Sequence, residues 1–281
     1  MPPLVILDFD GTMTDAEAEG LPFTAGYLED LAALTGRDLG EIQQMARRFE
    51  AEVLAAPQAY GWLYKGRIVC PATVDPYQRF MPVTRKILDA CGAFAVEAER
   101  ERLEQVLFRY NYKKTIRAFR PHAAEALSSL ADFDTWVVTN AHVEPVKAKI
   151  AALDAQAEGG LRWLLDRVVG LAKKQVVEDT EADLPAELVL PGLSRPVLVR
   201  RPHYRAAIER LRQGRPWEQV VVVGDIFELD LSLPLVLGAR VVLAANSVTP
   251  SWERAFVAAH PRGRVVEDLR ELAGIAKAAG G

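Results

Sequence analysis

The chain has 281 residues, of which 50% are apolar and 26% charged, a composition typical of a globular protein with a buried core. The net charge of −4 and the absence of a basic block argue against a nucleic-acid partner. Two cysteines, Cys70 and Cys91, cannot form a disulfide framework, and no apolar stretch reaches the length of a membrane span. We expect a cytoplasmic protein without a membrane partner, and the sequence leaves a monomer and a homodimer both open.

The first predicted element is a short buried strand at residues 4–7 that ends at an acidic turn. Its apolar run is typical of a strand covered on both faces of a parallel sheet. Side chains two residues apart in an extended chain point the same way, so Asp8 and Asp10 are predicted to face one side. Gly11 then allows a sharp backbone turn. Two carboxylates this close repel unless a cation or a proton separates them, which makes the turn a candidate cation site, with a structural pair of caps as the alternative.

Residues 15–120 lack such runs and show the periodicity of amphipathic helices, for example at Leu28, Leu31 and Leu34. We predict a mainly helical domain inserted after the first strand. Its centre is rich in aromatic residues and glycine and is predicted to be a loop or a hairpin. Lys65 and Arg67 in this centre could meet an anionic substrate, and simple surface exposure is the alternative.

Three more apolar runs, at residues 136–138, 220–223 and 241–243, alternate with helical patterns. This alternation predicts an α/β fold, a Rossmann-like, doubly wound parallel sheet built from residues 1–14 and 121–281. Residues 173–200 form an irregular stretch with acidic residues and prolines, which is predicted to be a surface hairpin or an extension.

Acidic residues follow the run at residues 220–223, at the edge where ligands bind in open α/β sheets. Asp225 comes after this run and Gly224, and adjacent strands would bring it beside Asp8. Carboxylates that converge without His or Cys favour a hard cation such as Mg²⁺. Asp230 is either a further residue of this metal site or a helix cap.

A hydroxyl and a cation occupy two other positions near predicted element ends. Thr139 and Asn140 follow the second strand, where a hydroxyl and free amides could hold a phosphate oxygen or cap a helix. Arg201 precedes Pro202, which suits a helix start. Its guanidinium could balance the carboxylates and grip a phosphate, or it could be solvated.

Taken in chain order, these four motifs resemble those of the haloacid dehalogenase superfamily. The matching segments are Asp8-Phe9-Asp10-Gly11-Thr12, Thr139-Asn140, Arg201-Pro202 and residues 224–230. The resemblance implies a Rossmann-like catalytic core and a helical cap domain inserted after the first motif, at residues 15–120. It also implies that Asp8 is the nucleophile and Asp10 the general acid and base.

The resemblance further implies a Mg²⁺ cofactor bound by Asp8, Asp225, the backbone carbonyl of Asp10 and, if it is not a cap, Asp230. Thr139 would bind the transferring phosphoryl group, with Asn140, Arg201 and Gly11 as the other candidate phosphate ligands. The third motif of the family usually carries lysine, whereas this chain has Arg201. Lys173 or Lys174 could supply that cation instead.

The implied activity is that of a magnesium-dependent phosphohydrolase acting on a small phosphate monoester through an aspartyl-phosphate on Asp8. Family dehalogenases lack the second aspartate, so Asp10 favours phosphoryl chemistry over cleavage of a carbon–halogen bond. The expected partner is a small phosphorylated metabolite. A phosphotransferase or mutase of the same family, and a non-catalytic member that binds a phospho-ligand, are the alternatives.

Overall fold

The computed structural model describes residues 2–157 and 159–280. Along the chain the helices and strands are β1 (Leu4–Leu7), α1 (Ala16–Thr35), α2 (Leu39–Leu54), β2 (Gly61–Tyr64), β3 (Arg67–Pro71), α3 (Pro76–Cys91), α4 (Glu97–Tyr112), α5 (Ala123–Ser129), β4 (Asp134–Val138), α6 (Val143–Gln156), β5 (Val168–Val169), β6 (Glu187–Leu188), β7 (Val197–Leu198), α7 (Pro202–Arg212), β8 (Val220–Gly224), α8 (Ser232–Leu237), β9 (Arg240–Ala244), α9 (Ser251–Ala259), β10 (Gly263–Val266) and α10 (Leu272–Ala279). None of the helices in these described ranges combines the length and the apolarity needed to cross a bilayer.

Six strands form a parallel sheet in the order β10-β9-β8-β1-β4-β5. Their valine-rich runs are buried because helices cover both faces. Leu4 and Ile6 of β1 pack with α7, α8 and α9, whereas Val5 and Leu7 pack with α5, α6 and α10. The predicted Rossmann-like α/β core is confirmed.

The register of the sheet decides which side chains meet at its carboxyl edge. Leu7 at the end of β1 pairs with Val137 of β4 on one side and with Val223 of β8 on the other. The residues that follow these three positions therefore emerge side by side. All the strands run the same way, so their polar ends lie along one edge of the sheet.

The chain divides into two compact units. The sheet unit consists of Met1–Asp15, Leu63–Cys70 and Phe119–Gly281, and the helical unit consists of Ala16–Trp62 and Pro71–Ala118. The domain boundaries predicted from the sequence, at residues 14/15 and 120/121, placed residues 63–70 inside the helical insertion. In the structure this segment belongs to the sheet unit.

The helical unit has its own aromatic core. The ring of Phe23 contacts those of Tyr27, Phe80 and Phe108 at centroid distances of 5.4, 6.2 and 5.4 Å. Such tilted and edge-on contacts are the favoured arrangement of aromatic rings. Asp75 begins α3 by accepting hydrogen bonds from the amides of the next turn, at 2.8 and 3.0 Å. The amphipathic periodicity of this region therefore does form packed helices.

The segment predicted to be a loop or a hairpin is the two-stranded hairpin β2–β3. Its turn contains Lys65 and Gly66, both with positive φ, at 50° and 76°. Consecutive positive φ values give a turn whose twist matches that of the strands, and glycine supplies the second of them without strain.

The irregular stretch after β5 is only partly a surface extension. It contains the short antiparallel pair β6–β7. Its residues Leu184, Leu190 and Leu193 are buried against the sheet unit's core. This packing anchors the stretch, which begins beside Lys174.

Candidate active site

Asp8 emerges from the centre of the sheet, directly after β1. Its backbone N–H continues the ladder by donating to the carbonyl of Val223 at 2.8 Å. The side chain is 10% exposed. The sheet therefore presents one nearly buried carboxylate at its carboxyl edge.

Asp225 and Asp230 complete a group of three carboxylates with Asp8. One oxygen from each lies within 4.8 Å of the others, and all three residues are buried. Asp230 reaches the group because a turn of π-helix at Phe227–Leu231 follows β8. Its Oδ2 also accepts from the N–H of Ile226, four residues earlier, at 3.1 Å, which ties the start of this turn to the carboxylate group.

Lys174 is the cation of this cluster. Its Nζ lies 2.6 Å from Oδ1 of Asp8 and 2.8 Å from Oδ1 of Asp230. The ammonium side chain is 2% exposed. The backbone turns inward here because Leu171 and Lys173 both adopt positive φ, at 53° and 49°. Lys173 itself points outward and is exposed.

Arg201 does not lie against the carboxylates, as its sequence position predicted. Its guanidinium donates to the backbone carbonyls of Lys174 and Val69, the latter at 2.9 Å. The prediction that Arg201 directly balances the carboxylates is therefore corrected, and Lys174, the stated alternative, makes those contacts. The physical reason is the loop after β5, which brings Lys174, 27 positions before Arg201, to Asp8.

Burial and mutual repulsion dominate the protonation of the cluster. Burial raises the pKa of Asp8 to about 7, with Asp230 adding to the rise and Lys174 opposing it. Burial also raises the pKa of Asp225 well above its usual value, and the charges of Asp230 and Asp8 raise it further. Burial alone would lower the pKa of Lys174, but the two carboxylates outweigh it and raise the pKa.

Thr12 and Gly11 shape the turn between the carboxylates. The hydroxyl of Thr12 donates to Oδ1 of Asp225 at 2.9 Å and lies 3.4 Å from Oδ2 of Asp8. Gly11 has φ 85°, and a Cβ there would lie 2.8 Å from the carboxyl carbon of Asp225. The Gly11 N–H donates to the Thr14 hydroxyl at 3.0 Å, so it is not free for the phosphate contact predicted from the sequence.

Thr139 and Asn140 follow β4, next to Asp8 in the sheet. The Thr139 hydroxyl accepts from the N–H of Ala141 at 3.1 Å, and its proton remains available to an anion. Oδ1 of Asn140 accepts from the backbone N–H of Lys174 at 2.7 Å. The side-chain oxygen of Asn140 thus holds the lysine loop, and its phosphate contact stays a prediction.

Asp10 does not join the three carboxylates. Its Oδ1 accepts from Nζ of Lys149 in α6 at 2.7 Å, and its side chain is 37% exposed. The alternation predicted for Asp8 and Asp10 ends at the turn, where the chain leaves the strand. The carboxylate of Asp10 is therefore no part of the metal candidate, and the role of its backbone carbonyl stays a prediction.

Lys65 and Arg67 lie in the hairpin turn and its second strand. Nζ of Lys65 lies 5.3 Å from the ring centroid of Tyr64, and Arg67 forms an exposed ion pair with Glu187 at 3.5 Å. Part of the charge of Arg67 is thus already balanced. Their contribution to substrate specificity stays a prediction.

The donor set fits Mg²⁺. When they are all ionised, three carboxylates and the ammonium of Lys174 leave two negative charges in a buried space, which a divalent cation would balance. Oxygen ligands are those that Mg²⁺ prefers, with bonds of about 2.1 Å. Ligand oxygens around such an ion lie about 3–4 Å apart, close to the span of this group.

Some contributors carried little signal in the sequence. The phenol of Tyr204 donates to the backbone carbonyl of Asp230 at 2.9 Å, 26 positions along the chain, and no local pattern indicates this contact. Lys149 likewise lies 139 positions from Asp10 and meets it only through the fold.

Comparisons with known proteins agree with this geometry. The sequence profile of the haloacid dehalogenase-like hydrolases matches residues 2–233. No curated protein sequence matches the chain significantly.

Solved structures with the same fold cover nearly the whole chain. A haloacid dehalogenase-like family hydrolase from Xanthomonas campestris is 16% identical, with 99% of this chain and 96% of that chain covered and a TM-score of 0.55. A predicted phosphoglycolate phosphatase from Haemophilus somnus 129pt is 17% identical, with 97% of each chain covered and a TM-score of 0.53. YfnB from Bacillus subtilis, assigned as a HAD-hydrolase and bound to magnesium, is 16% identical, with 98% of each covered and a TM-score of 0.51. At these identities the likeness establishes the shared fold.

Proposed function

Because the chain belongs to the haloacid dehalogenase-like hydrolase family, we propose that it is a magnesium-dependent phosphohydrolase acting on a small phosphate monoester. The observation that carries the proposal is the charge of the buried cluster. Three carboxylates face a single ammonium at the end of β1, and burial holds the pKa values of Asp8 and Asp225 high. Such a site is built for a divalent cation and, with it, an anionic substrate.

Asp8 is the proposed nucleophile. A carboxylate oxygen of Asp8 attacks phosphorus, the bond from phosphorus to the ester oxygen breaks, and an aspartyl-phosphate forms. Lys174 on Oδ1 and the hydroxyl of Thr12 near Oδ2 fix the orientation of the attacking carboxylate. A bound Mg²⁺ supplies Lewis-acid neutralisation of a phosphate oxygen.

Asp10 is the proposed general acid and base. In the first step it gives a proton to the leaving alkoxide, and in the second it accepts a proton from the water that attacks the aspartyl-phosphate. Its half-exposed position outside the carboxylate group leaves it free to reach a leaving group. The ion pair with Lys149 holds the ionised carboxylate in place. Asp10 takes up the proton that it later donates once a bound substrate displaces this pair.

Asp10 also supports phosphoryl transfer over dehalogenation. Cleavage of a carbon–halogen bond releases a halide, which needs no proton. Alkoxide release needs one, and Asp10 is the residue placed to supply it. Thr139, at the neighbouring strand end, is the proposed hydroxyl donor to the phosphoryl group.

The test is hydrolysis of a panel of phosphate monoesters with and without Mg²⁺, with chloroacetate as a parallel substrate. We expect Mg²⁺-dependent release of inorganic phosphate that a chelator removes and that Asp8→Asn abolishes without loss of the fold. Metal-independent halide release would overturn the proposal in favour of dehalogenation. Isomerised ester with little free phosphate would overturn it in favour of a mutase, and no turnover of any ester would favour a binding protein.

A further inference from the structure

The start of α7 presents two buried side chains to the lysine of the site. Arg201 is the residue before the helix and Tyr204 lies in its first turn, and their exposed fractions are 0% and 1%. Arg201 contacts the backbone of Lys174 and the ring of Tyr204 lies near its Nζ, so both side chains meet the same neighbour.

Arg201 joins two distant segments through one planar group. Nη1 donates to the backbone carbonyl of Lys174, and Nη2 donates to the carbonyl of Val69 in β3 at 2.9 Å. The two nitrogens of a guanidinium have a fixed spacing. The lysine loop and the hairpin strand are therefore held at a set distance from each other.

Tyr204 supports the ammonium end of the same lysine. Nζ of Lys174 lies 5.2 Å from the centroid of its ring, and the phenol donates to the backbone carbonyl of Asp230 at 2.9 Å. Asn140 accepts from the Lys174 amide at 2.7 Å. Contacts thus hold Lys174 at its backbone amide, its backbone carbonyl and its ammonium.

The burial of Arg201 is costly for a residue that only fills space. Burial lowers its pKa to about 10, and within residues 2–157 and 159–280 its Nε has no hydrogen-bond partner. A buried guanidinium without full pairing opposes folding, and an apolar side chain of similar volume would avoid that cost. The two carbonyl contacts are what an apolar side chain could not make.

We propose that Arg201 and Tyr204 are positioning residues that hold Lys174 against Asp8, and that Arg201 makes the hairpin strand β3 part of this support. The catalytic meaning of this arrangement rests on the proposed function. The position of Lys174 itself can be measured without turnover, so the two proposals can fail separately.

The test is the rate at which acetic anhydride acylates Lys174, measured by peptide mass spectrometry relative to the exposed neighbour Lys173. In the wild type the doubly paired ammonium is protected. We expect Arg201→Met to raise the relative rate by roughly tenfold or more, as for loss of a hydrogen bond made by a charged group. Arg201→Lys, which keeps the charge but lacks the fork, should give an intermediate rate, and Tyr204→Leu should also raise it.

Arg79→Met is the matched control for general destabilisation. Arg79 is also buried, and it donates to the carbonyl of Thr73 at 2.7 Å, but it lies in the helical unit. We expect it to leave the protection of Lys174 unchanged. An equal rise in this control, or full protection in Arg201→Met, would overturn the proposal. A wild-type rate in Arg201→Lys would overturn the part that involves β3.

Kinetics and metal binding provide the second readout. Displacing Lys174 removes a positive charge from beside the carboxylates, so Arg201→Met should lower kcat by roughly tenfold while Mg²⁺ affinity by calorimetry stays equal or rises. Loss of Mg²⁺ binding together with kcat would show a collapsed site and would contradict a positioning role. If the wild type turns over no ester, the proposed function fails, and the acylation rates still decide the role of Arg201.

Discussion

Replacing Lys174 by methionine removes the positive charge beside the carboxylates and nearly keeps the side-chain volume. In the structure Nζ lies 2.6 Å from Asp8 and 2.8 Å from Asp230, and both carboxylates are buried. The substitution leaves these groups without a cationic partner. It therefore tests whether this lysine, and not Arg201, is the working cation.

The magnitude follows from burial and proximity. Removing one partner of a buried ion pair destabilises by about 3–5 kcal/mol, because a buried charge remains unpaired. In metal-free protein at pH 8 we expect a loss of up to this size. Asp8, with a pKa of about 7, is mostly ionised in the wild type, whereas loss of Lys174 raises that pKa and allows the variant to take up a proton. Loss of a preorganised charge at the reacting group should lower kcat by about 10²–10³-fold.

Denaturant unfolding without metal and steady-state phosphatase kinetics measure these two effects. Lys173→Met is the control, since this neighbouring lysine is exposed and should lose neither stability nor activity. Near wild-type turnover in Lys174→Met would show that catalysis does not depend on the charge of Lys174. An equal loss in the Lys173 variant would show that the loop, and not the Lys174 charge, is responsible.

Three further predictions concern the metal, the turn and the proton donor. Because the pKa of Asp8 rises from 3.8 to about 7 on folding, the stability of the metal-free protein should fall as pH rises through this window. Mg²⁺ should therefore raise the melting temperature more at pH 8 than at pH 5. An equal rise at both pH values would contradict a metal site that includes Asp8. Gly11→Ala should lower Mg²⁺ affinity and turnover by at least about tenfold, since its Cβ overlaps the Asp225 carboxylate and its φ is positive. Gly36→Ala, with a similar φ but open space, should cost only the backbone strain of about 1–2 kcal/mol and leave metal binding intact. Asp10→Asn should slow hydrolysis by about 10²–10⁴-fold and should let a phosphoenzyme accumulate during turnover, which acid quenching traps. Unchanged turnover would remove Asp10 from the mechanism.

The carboxylate cluster could be predicted because strand ends obey a simple rule. Continuous apolar runs before Asp8 and Asp225 indicated buried parallel strands, and adjacent parallel strands bring their last residues together. The structure places both side chains in one group with Asp230. The resemblance to the haloacid dehalogenase superfamily, read from the same residues, is confirmed by the family match.

The cation could not be placed because it depends on a loop without a sequence signal. Leu171 and Lys173 adopt positive φ although neither is glycine, and this turns Lys174 inward. Spacing and the proline at 202 favoured Arg201, which lies near the cluster but bonds to carbonyls. Which of two nearby cations meets a carboxylate is decided by loop conformation, which periodicity does not report.

The hairpin shows the same limit for domain boundaries. Helical periodicity on both sides made residues 15–120 look like one insertion, yet Leu63–Cys70 is counted with the sheet unit. The Val69 carbonyl bonds to Arg201, and Arg67 pairs with Glu187. These contacts are 132 and 120 positions apart in sequence, so no local pattern predicts them.

In the proposed mechanism a phosphoryl group passes through Asp8. The most direct measurement is acid quenching of the enzyme during turnover with Mg²⁺ and a phosphate monoester, followed by peptide mass spectrometry. We expect one phosphoryl group on the peptide that contains Asp8, a larger phosphorylated fraction in Asp10→Asn, and none in Asp8→Asn. A phosphoryl group trapped on another residue during steady turnover would contradict the role of Asp8. Wild-type turnover in Asp8→Asn would contradict it as well.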